Sequence, residues 1–179
     1  MEDHDEPNQE NAELLPLRSR ECLERSYVRF VNTTNRTIEI IWLNYTGQRI
    51  RYQLIGARSY ANIDTFKTHP WIAQDVLTKD RMWLERQYVY QPQTTREHLN
   101  NANPNIVYPI PPPEVRKVVA ITLPMLTLRY HALLTIRNLF AQPEAVDNLE
   151  LPRDLKEDLK KVIILRNRRL ATSALTVAA

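Results

Sequence analysis

Thr37-Ile38-Glu39-Ile40-Ile41-Trp42-Leu43-Asn44-Tyr45, then Thr46-Gly47, then Arg49-Ile50-Arg51-Tyr52-Gln53-Leu54-Ile55, is the stretch that decides the fold. Two β-branched and aromatic runs flank a Thr-Gly turn signal, so the pair reads as a β-hairpin. The pattern continues outward on both sides. Residues 27–31 alternate apolar and polar, and further short runs fall at 60–66, 71–73, 82–90 and 115–123. Short strands at this spacing predict a β-sandwich, here over residues 18–125.

Past Pro124 the apolar period changes from two to about 3.6. Thr127 suits the N-cap of a helix through about residue 141, with Leu128, Ala132, Ile136 and Leu139 on one side. Pro143 breaks it, and a short helix fits 143–149. Pro152 suits the first turn of a third helix, to about residue 169. The fold class is therefore mainly β with a smaller α domain: an N-terminal sandwich, then a three-helix domain over 126–171. Residues 172–179 read as a fraying tail. Residues 1–17 are acidic and polar, and read as disordered. Residues 92–113, with Asn100-Asn101 and Pro111-Pro112-Pro113, read as a long loop, in part polyproline II.

Composition narrows the function. Two glycines against 12 prolines argue against a phosphate-cradling loop. No long apolar run or basic-apolar leader is present, so neither a membrane span nor secretion is expected. Cys22 is the only cysteine, which excludes an internal disulfide and fits a reducing compartment. His4, His69, His98 and His131 are scattered without cysteine partners, so no zinc site and no cofactor are expected. Asn32, Asn35 and Asn44 open Asn-x-Thr patterns, which without export read as turn and strand chemistry. The net charge of +3 hides an asymmetry: the first 17 residues hold six acids and no Lys or Arg, leaving 24 bases against 15 acids, or +9. The bases are spread along strands and helices. That distribution fits a solvated surface rather than a nucleic-acid site.

Trp42, Tyr52, Thr65, His69 and Trp71 are the residues that suit a binding site. Indole and phenol rings are stiff apolar anchors with a polar tip. A hydroxyl and an imidazole add a donor and an acceptor. On residue types alone the commoner reading is the other one: buried tryptophans of a sandwich core, and a loop histidine before Pro70.

Trp42-Leu43-Asn44, Tyr52 ten positions after the tryptophan, Thr65-Phe66, His69 and Trp71 resemble, without a gap, the substrate pocket of the von Hippel–Lindau (VHL) family. Asn32 and Arg36 fit the same pattern. Thr127-Leu128, Ala132 and Thr135-Ile136 resemble that family's elongin C-binding box, and Leu151-Pro152, Leu155 and Leu159 resemble the box by which its relatives choose cullin-2. The resemblance implies a non-catalytic substrate receptor of a cullin-RING ubiquitin ligase. Its ligand would be the 4-hydroxyproline degron of hypoxia-inducible factor α, marked for ubiquitination and proteasomal degradation. Trp42, Tyr52 and Trp71 would line the pyrrolidine ring, and Thr65 and His69 would bond its hydroxyl. Ile63, Asp64 and Phe66 would complete the site, Asp64 through its backbone carbonyl. Leu128, His131, Ala132, Thr135 and Ile136 would meet elongin C. Leu151, Pro152, Leu155 and Leu159 would meet cullin-2, with elongin B and a RING-box protein in the same assembly. Neither nucleic acid nor membrane is implied, and the setting would be cytoplasm and nucleus. Thr65 stands for the family's serine, Phe66 for a tyrosine, Asp64 for a histidine and Ala132 for a cysteine.

The alternative is a β-sandwich peptide-binding or adhesion module without ligase partners. A hydrolase built on Asp64, Thr65 and His69 is disfavoured. No Gly-x-Ser-x-Gly elbow exists, and neighbours in a strand face opposite ways. A helical domain of about 50 residues is expected to need its partner to fold.

Overall fold

The computed structural model describes residues 17–110 and 114–177, with side chains through residue 172. Most of the acidic segment, residues 1–16, lies outside the described residues, as does Pro111-Pro112-Pro113. Among the described residues there are seven strands: β1 (Arg25–Asn32), β2 (Ile38–Leu43), β3 (Arg49–Ile55), β4 (Tyr60–Phe66), β5 (Trp71–Asp75), β6 (Arg81–Leu84) and β7 (Lys117–Thr122). They form one sheet in the order β3-β2-β5-β6-β7-β1-β4. The β1–β7 pair is parallel and the other pairs are antiparallel.

The two-layer sandwich is therefore corrected to a mixed sheet that coils into a nearly closed barrel. The short strand β6 makes the difference. It pairs with β5 through Ala73↔Met82 and with β7 through Leu84↔Ile121, joining what would otherwise be two layers. Alternation fixes which side chains point inward but not which strands pair. Inside lie Val28, Phe30, Ile38, Ile40, Ile63, Met82, Val119 and Ile121, all essentially without exposure. The seam of the barrel falls between β3 and β4.

The sequence reading of 82–90 as one strand is also corrected. Strand β6 ends at Leu84, and Glu85 and Arg86 take φ of 50° and 67°. Leu84 and Gln87 exchange both backbone hydrogen bonds (2.8 and 3.1 Å) around them. Two consecutive left-handed residues are what a tight primed hairpin turn requires, usually from Asn-Gly. The chain then returns beside β5, where Tyr90 and Trp71 exchange backbone bonds of 2.8 and 2.9 Å. Within the loop after it, Thr95–Ala102 forms helix α1 with a complete Thr94/Glu97 capping box.

The C-terminal part holds α2 (Leu128–Arg137), a 3-10 helix (Pro143–Asn148) and α3 (Arg153–Val177). The three-helix expectation becomes two α-helices and one 3-10 segment. Thr127 is the N-cap of α2, its hydroxyl accepting from the Tyr130 amide. Helix α2 stops at Arg137, because Asn138, Leu139 and Phe140 bond three residues back and tighten the last turn. Helix α3 runs to Val177 rather than fraying at 172, since no glycine or proline interrupts it and alanine and leucine favour it. Leu133, Val146, Leu159, Val162 and Ile163 form this part's core.

An ion pair joins the two parts. Arg137, almost fully buried, donates to both oxygens of Asp80 (2.9 and 2.5 Å) in the β5–β6 connection. Burial alone would raise the Asp80 pKa, but the Arg137 hydrogen bond and charge outweigh it and hold the carboxyl below its ordinary value. Arg166 of α3 donates to the Arg137 and Phe140 carbonyls (2.9 and 2.6 Å), closing the end of α2. A cleft of about 500 Å³ opens at this junction, lined by Arg36, Arg81, Met125, Tyr130 and Arg169 among others.

Candidate functional site

The ring residues gather at the other side of β2 and β5, away from that cleft. Trp42 and Trp71 are register partners on these neighbouring strands, so their side chains lie side by side on one face. That face is the inner one, shared with Ile40 and Ala73. Tyr52 reaches it by a bulge. Gln53 pairs with Ile40 and Arg51 with Ile41, leaving Tyr52 as the extra residue of β3. Bulges re-aim a side chain in this way. The Tyr52 ring meets the Trp71 indole edge-on, with centroids 5.1 Å apart.

Thr65, at the end of β4, accepts a hydrogen bond from the Trp71 indole N–H at 3.2 Å. A threonine hydroxyl keeps its own proton and a second lone pair after that bond. His69 sits in the turn after β4, where its amide donates to the Phe66 carbonyl at 3.1 Å. Its ring lies 5.2 Å from Trp42, 5.6 Å from Tyr45 and 5.1 Å from Phe66. Its Nε2 is 3.2 Å from the Tyr45 hydroxyl. Burial depresses the His69 pKa below its ordinary value of 6.5, so the ring is neutral at pH 7.

Exposure separates a rim from a floor. Tyr45 and Tyr52 are about half exposed, at 48% and 53%, and Trp42 is half-buried. Thr65, His69 and Trp71 are buried. Trp71 is thus floor rather than wall, with Phe30 behind it at 5.9 Å. Two polar side chains lie beneath a rim of rings, an arrangement that grips a small apolar body and tests it for a hydrogen-bonding group.

One implied site residue is placed otherwise. Ile63 is fully buried in the barrel core, so its side chain cannot line the site. The Asp64 side chain points outward and pairs with Arg116 at 2.7 Å, on the opposite face from Thr65, which is compatible with a role through its backbone carbonyl. Two residues were missed. Ser19 accepts from the Trp42 indole N–H and donates to the Leu43 carbonyl, both at 2.6 Å. Nothing in the sequence links it to a tryptophan 23 positions on. Tyr45 follows Asn44 in the motif itself, and its neighbours were read only as a turn. The asparagines do serve turns. The Asn32 amide reaches the Arg36, Ile55 and Gly56 carbonyls, and the Asn44 side chain accepts from Thr46 and Gln48.

On α2, Leu128 is 86% exposed, Ala132 and Thr135 are exposed beside it, and Leu139 is exposed just past the helix end. His131 and Ile136 flank them, half-buried. Of the cullin-like box, Pro152 is exposed and Leu151 and Leu155 are half-buried. Leu159 has no exposure and packs in the helical core, so a direct contact through it is corrected to a packing role.

Residues 17–98 match the family model described as the VHL beta domain. Protein Vhl of Drosophila melanogaster is 28% identical over 142 residues, spanning 76% of this chain and 77% of that protein. Over its β domain the chain is similar to the VHL family. The VHL beta domain match spans β1 to β5, β6 and the start of α1, and so includes the whole ring cluster. Among the described residues no helix is long and apolar enough to cross a membrane.

Proposed function

We propose that this chain is a VHL-like substrate-recognition subunit of a cullin-RING ubiquitin ligase, and that its ring cluster binds the 4-hydroxyproline degron of hypoxia-inducible factor α. The observation that carries this reading is the buried pair Thr65 and His69 beneath the half-exposed rings of Trp42, Tyr45 and Tyr52. A pyrrolidine ring is small, compact and apolar, and fits between aromatic faces. Its hydroxyl reaches the floor. Plain proline leaves both polar groups unpaired under the ligand, at about 1–3 kcal/mol each. A site built to bond a hydroxyl rejects its absence far more strongly than an apolar slot does. The peptide runs extended along β4, which is an edge strand of the sheet and has backbone groups free to pair.

The exposed strip of Leu128, Ala132 and Thr135 on α2 is the elongin C surface in this reading. A long residue fills a groove, and a small one four positions on lets the backbones approach. Elongin B, cullin-2 and the RING-box protein follow through elongin C, with Leu151, Pro152 and Leu155 turned toward the cullin, in cytoplasm and nucleus. Ubiquitin transfer then works by proximity, which raises the effective concentration of substrate lysines.

Titration calorimetry with a hydroxyproline peptide and its proline twin tests the pocket. Wild type should prefer the hydroxylated form strongly, and Thr65→Ala or His69→Ala should erase most of that preference. Equal binding of the two peptides by wild type refutes the reading. Co-purification with elongin C, lost in Leu128→Glu, tests the helical surface separately.

A further inference from the structure

We propose that Tyr45 is a positioning residue of the pocket: its hydroxyl donates to His69 Nε2 and so places the imidazole proton on Nδ1, making His69 a hydrogen-bond donor to the ligand. The inference rests on the ring cluster being the ligand site, and deepens that reading by naming what sets its polarity. The Tyr45 hydroxyl lies 3.2 Å from Nε2. In neutral imidazole one nitrogen donates and the other accepts, and the bond made at one nitrogen decides the state of the other. A phenol is a stronger donor than acceptor, and an unprotonated imidazole nitrogen is a good acceptor. The favoured sense is therefore Tyr45 O–H toward Nε2.

The surroundings hold Tyr45 in that place. Its ring stands edge-on to Trp42 (5.7 Å, 89°) and to His69 (5.6 Å, 88°). The turn that carries it is fixed by Asn44, whose side-chain oxygen accepts from the Thr46 amide (3.0 Å), the Thr46 hydroxyl (2.8 Å) and the Gln48 amide (2.8 Å). The Leu43 amide donates to the Pro70 carbonyl at 3.1 Å, tying this strand end to the His69 turn. Both partners of the Tyr45–His69 bond are thus anchored by backbone contacts of their own.

The consequence is a defined ligand chemistry. Thr65 already accepts from Trp71 and has one lone pair left. With a proton on His69 Nδ1, the floor offers one donor and one acceptor. An alcohol satisfies both, its oxygen accepting from His69 and its proton going to Thr65. A bare methylene satisfies neither.

The test uses the full chain and two readouts. Long-range proton–nitrogen correlation spectra of the unliganded protein report which His69 nitrogen carries the proton. Wild type should show the Nδ1–H form, and Tyr45→Phe, which keeps the ring, should shift toward the Nε2–H form that imidazole favours in water. In calorimetry, Tyr45→Phe should lower the hydroxyproline-over-proline preference about fivefold, the scale of one hydrogen bond. A proton on Nε2 in wild type, or a tautomer unmoved by Tyr45→Phe, overturns the inference. If wild type shows no hydroxyproline preference, the ligand reading fails while the spectra still decide the tautomer.

Discussion

Replacing Arg137 by Met removes one charge from a buried pair and keeps most of the side-chain volume. Arg137 is 1% exposed and Asp80 14%, and the two are joined by two hydrogen bonds. Breaking such a pair costs about 3–5 kcal/mol, because the remaining charge is left without its partner. Arg169 lies 3.8 Å from Asp80 and takes over part of the compensation, which sets the expected loss near the lower end, about 3 kcal/mol. The assay is urea denaturation followed by two signals. Trp42 and Trp71 lie in the barrel and Trp83 in β6, so tryptophan fluorescence reports the sheet. Far-UV circular dichroism reports mainly the helices. Arg137→Met should lower the helical midpoint more than the fluorescence midpoint, uncoupling two parts that Asp80 now joins. The double variant with Asp80→Asn should cost less than the two single losses summed, as expected for groups in direct contact. Acid acts in the same direction. The folded Asp80 pKa is depressed, so its contribution is present above the unfolded value of 3.8 and is lost as pH falls through the folded one. Arg137→Met with a midpoint unchanged from wild type refutes the account of the junction.

Three further outcomes follow from single contacts. His69 has a depressed pKa in the fold, so the unfolded chain binds a proton that the folded one refuses; stability should be full above 6.5 and decline as pH falls through it. Urea midpoints measured across that range should flatten in His69→Asn. Arg86, at φ 67°, sits where glycine is favoured, and Arg86→Gly should raise stability by about 1 kcal/mol, read as an upward shift of the thermal midpoint. Leu159→Ala empties a fully buried position between α2, α3 and the 3-10 helix, and should cost about 2–5 kcal/mol in the helical signal, with exposed Leu128→Ala as the near-neutral control.

Local pattern was the most legible part of the chain. The strands at 49–55 and 60–66 and the Thr127 cap match what alternation and side-chain chemistry dictate. The Glu85-Arg86 turn was not legible, because neither residue signals positive φ and tertiary pairing imposes it. Helix α1 carried its own mark, Thr94 with Glu97 three residues on, hidden by the asparagine- and proline-rich residues around it. The closure of the barrel depends on which strands pair with β6, and no periodicity encodes pairing. At the site, the structure sets Tyr52 and Thr65 against Trp71, and His69 against Trp42. The bulge that brings Tyr52 inward was not readable, since register across a turn is decided by packing. Ser19 shows the same limit in another form: a hydroxyl near the start of the described chain holds an indole two strands away.

If the ring cluster is the ligand site, rigidity is what turns two hydrogen bonds into selectivity. An unpaired polar group penalises the wrong ligand only if it cannot turn aside and find water or a neighbour. The floor of this site is held against such relaxation from several directions. The Trp71 backbone is bonded to Tyr90 on one side and paired with Trp42 on the other, so the indole that fixes Thr65 has little freedom. The turn carrying His69 is strapped by the segment before β1, where the Thr68 hydroxyl donates to the Arg20 carbonyl at 2.6 Å and the Lys67 amide to the Glu24 carbonyl at 3.1 Å. Ser19, in the same segment, fixes Trp42. One short strap therefore holds both the rim and the floor. In the proposed reading its hydrogen bonds never touch the ligand, yet they keep Thr65 and His69 from accommodating a plain ring.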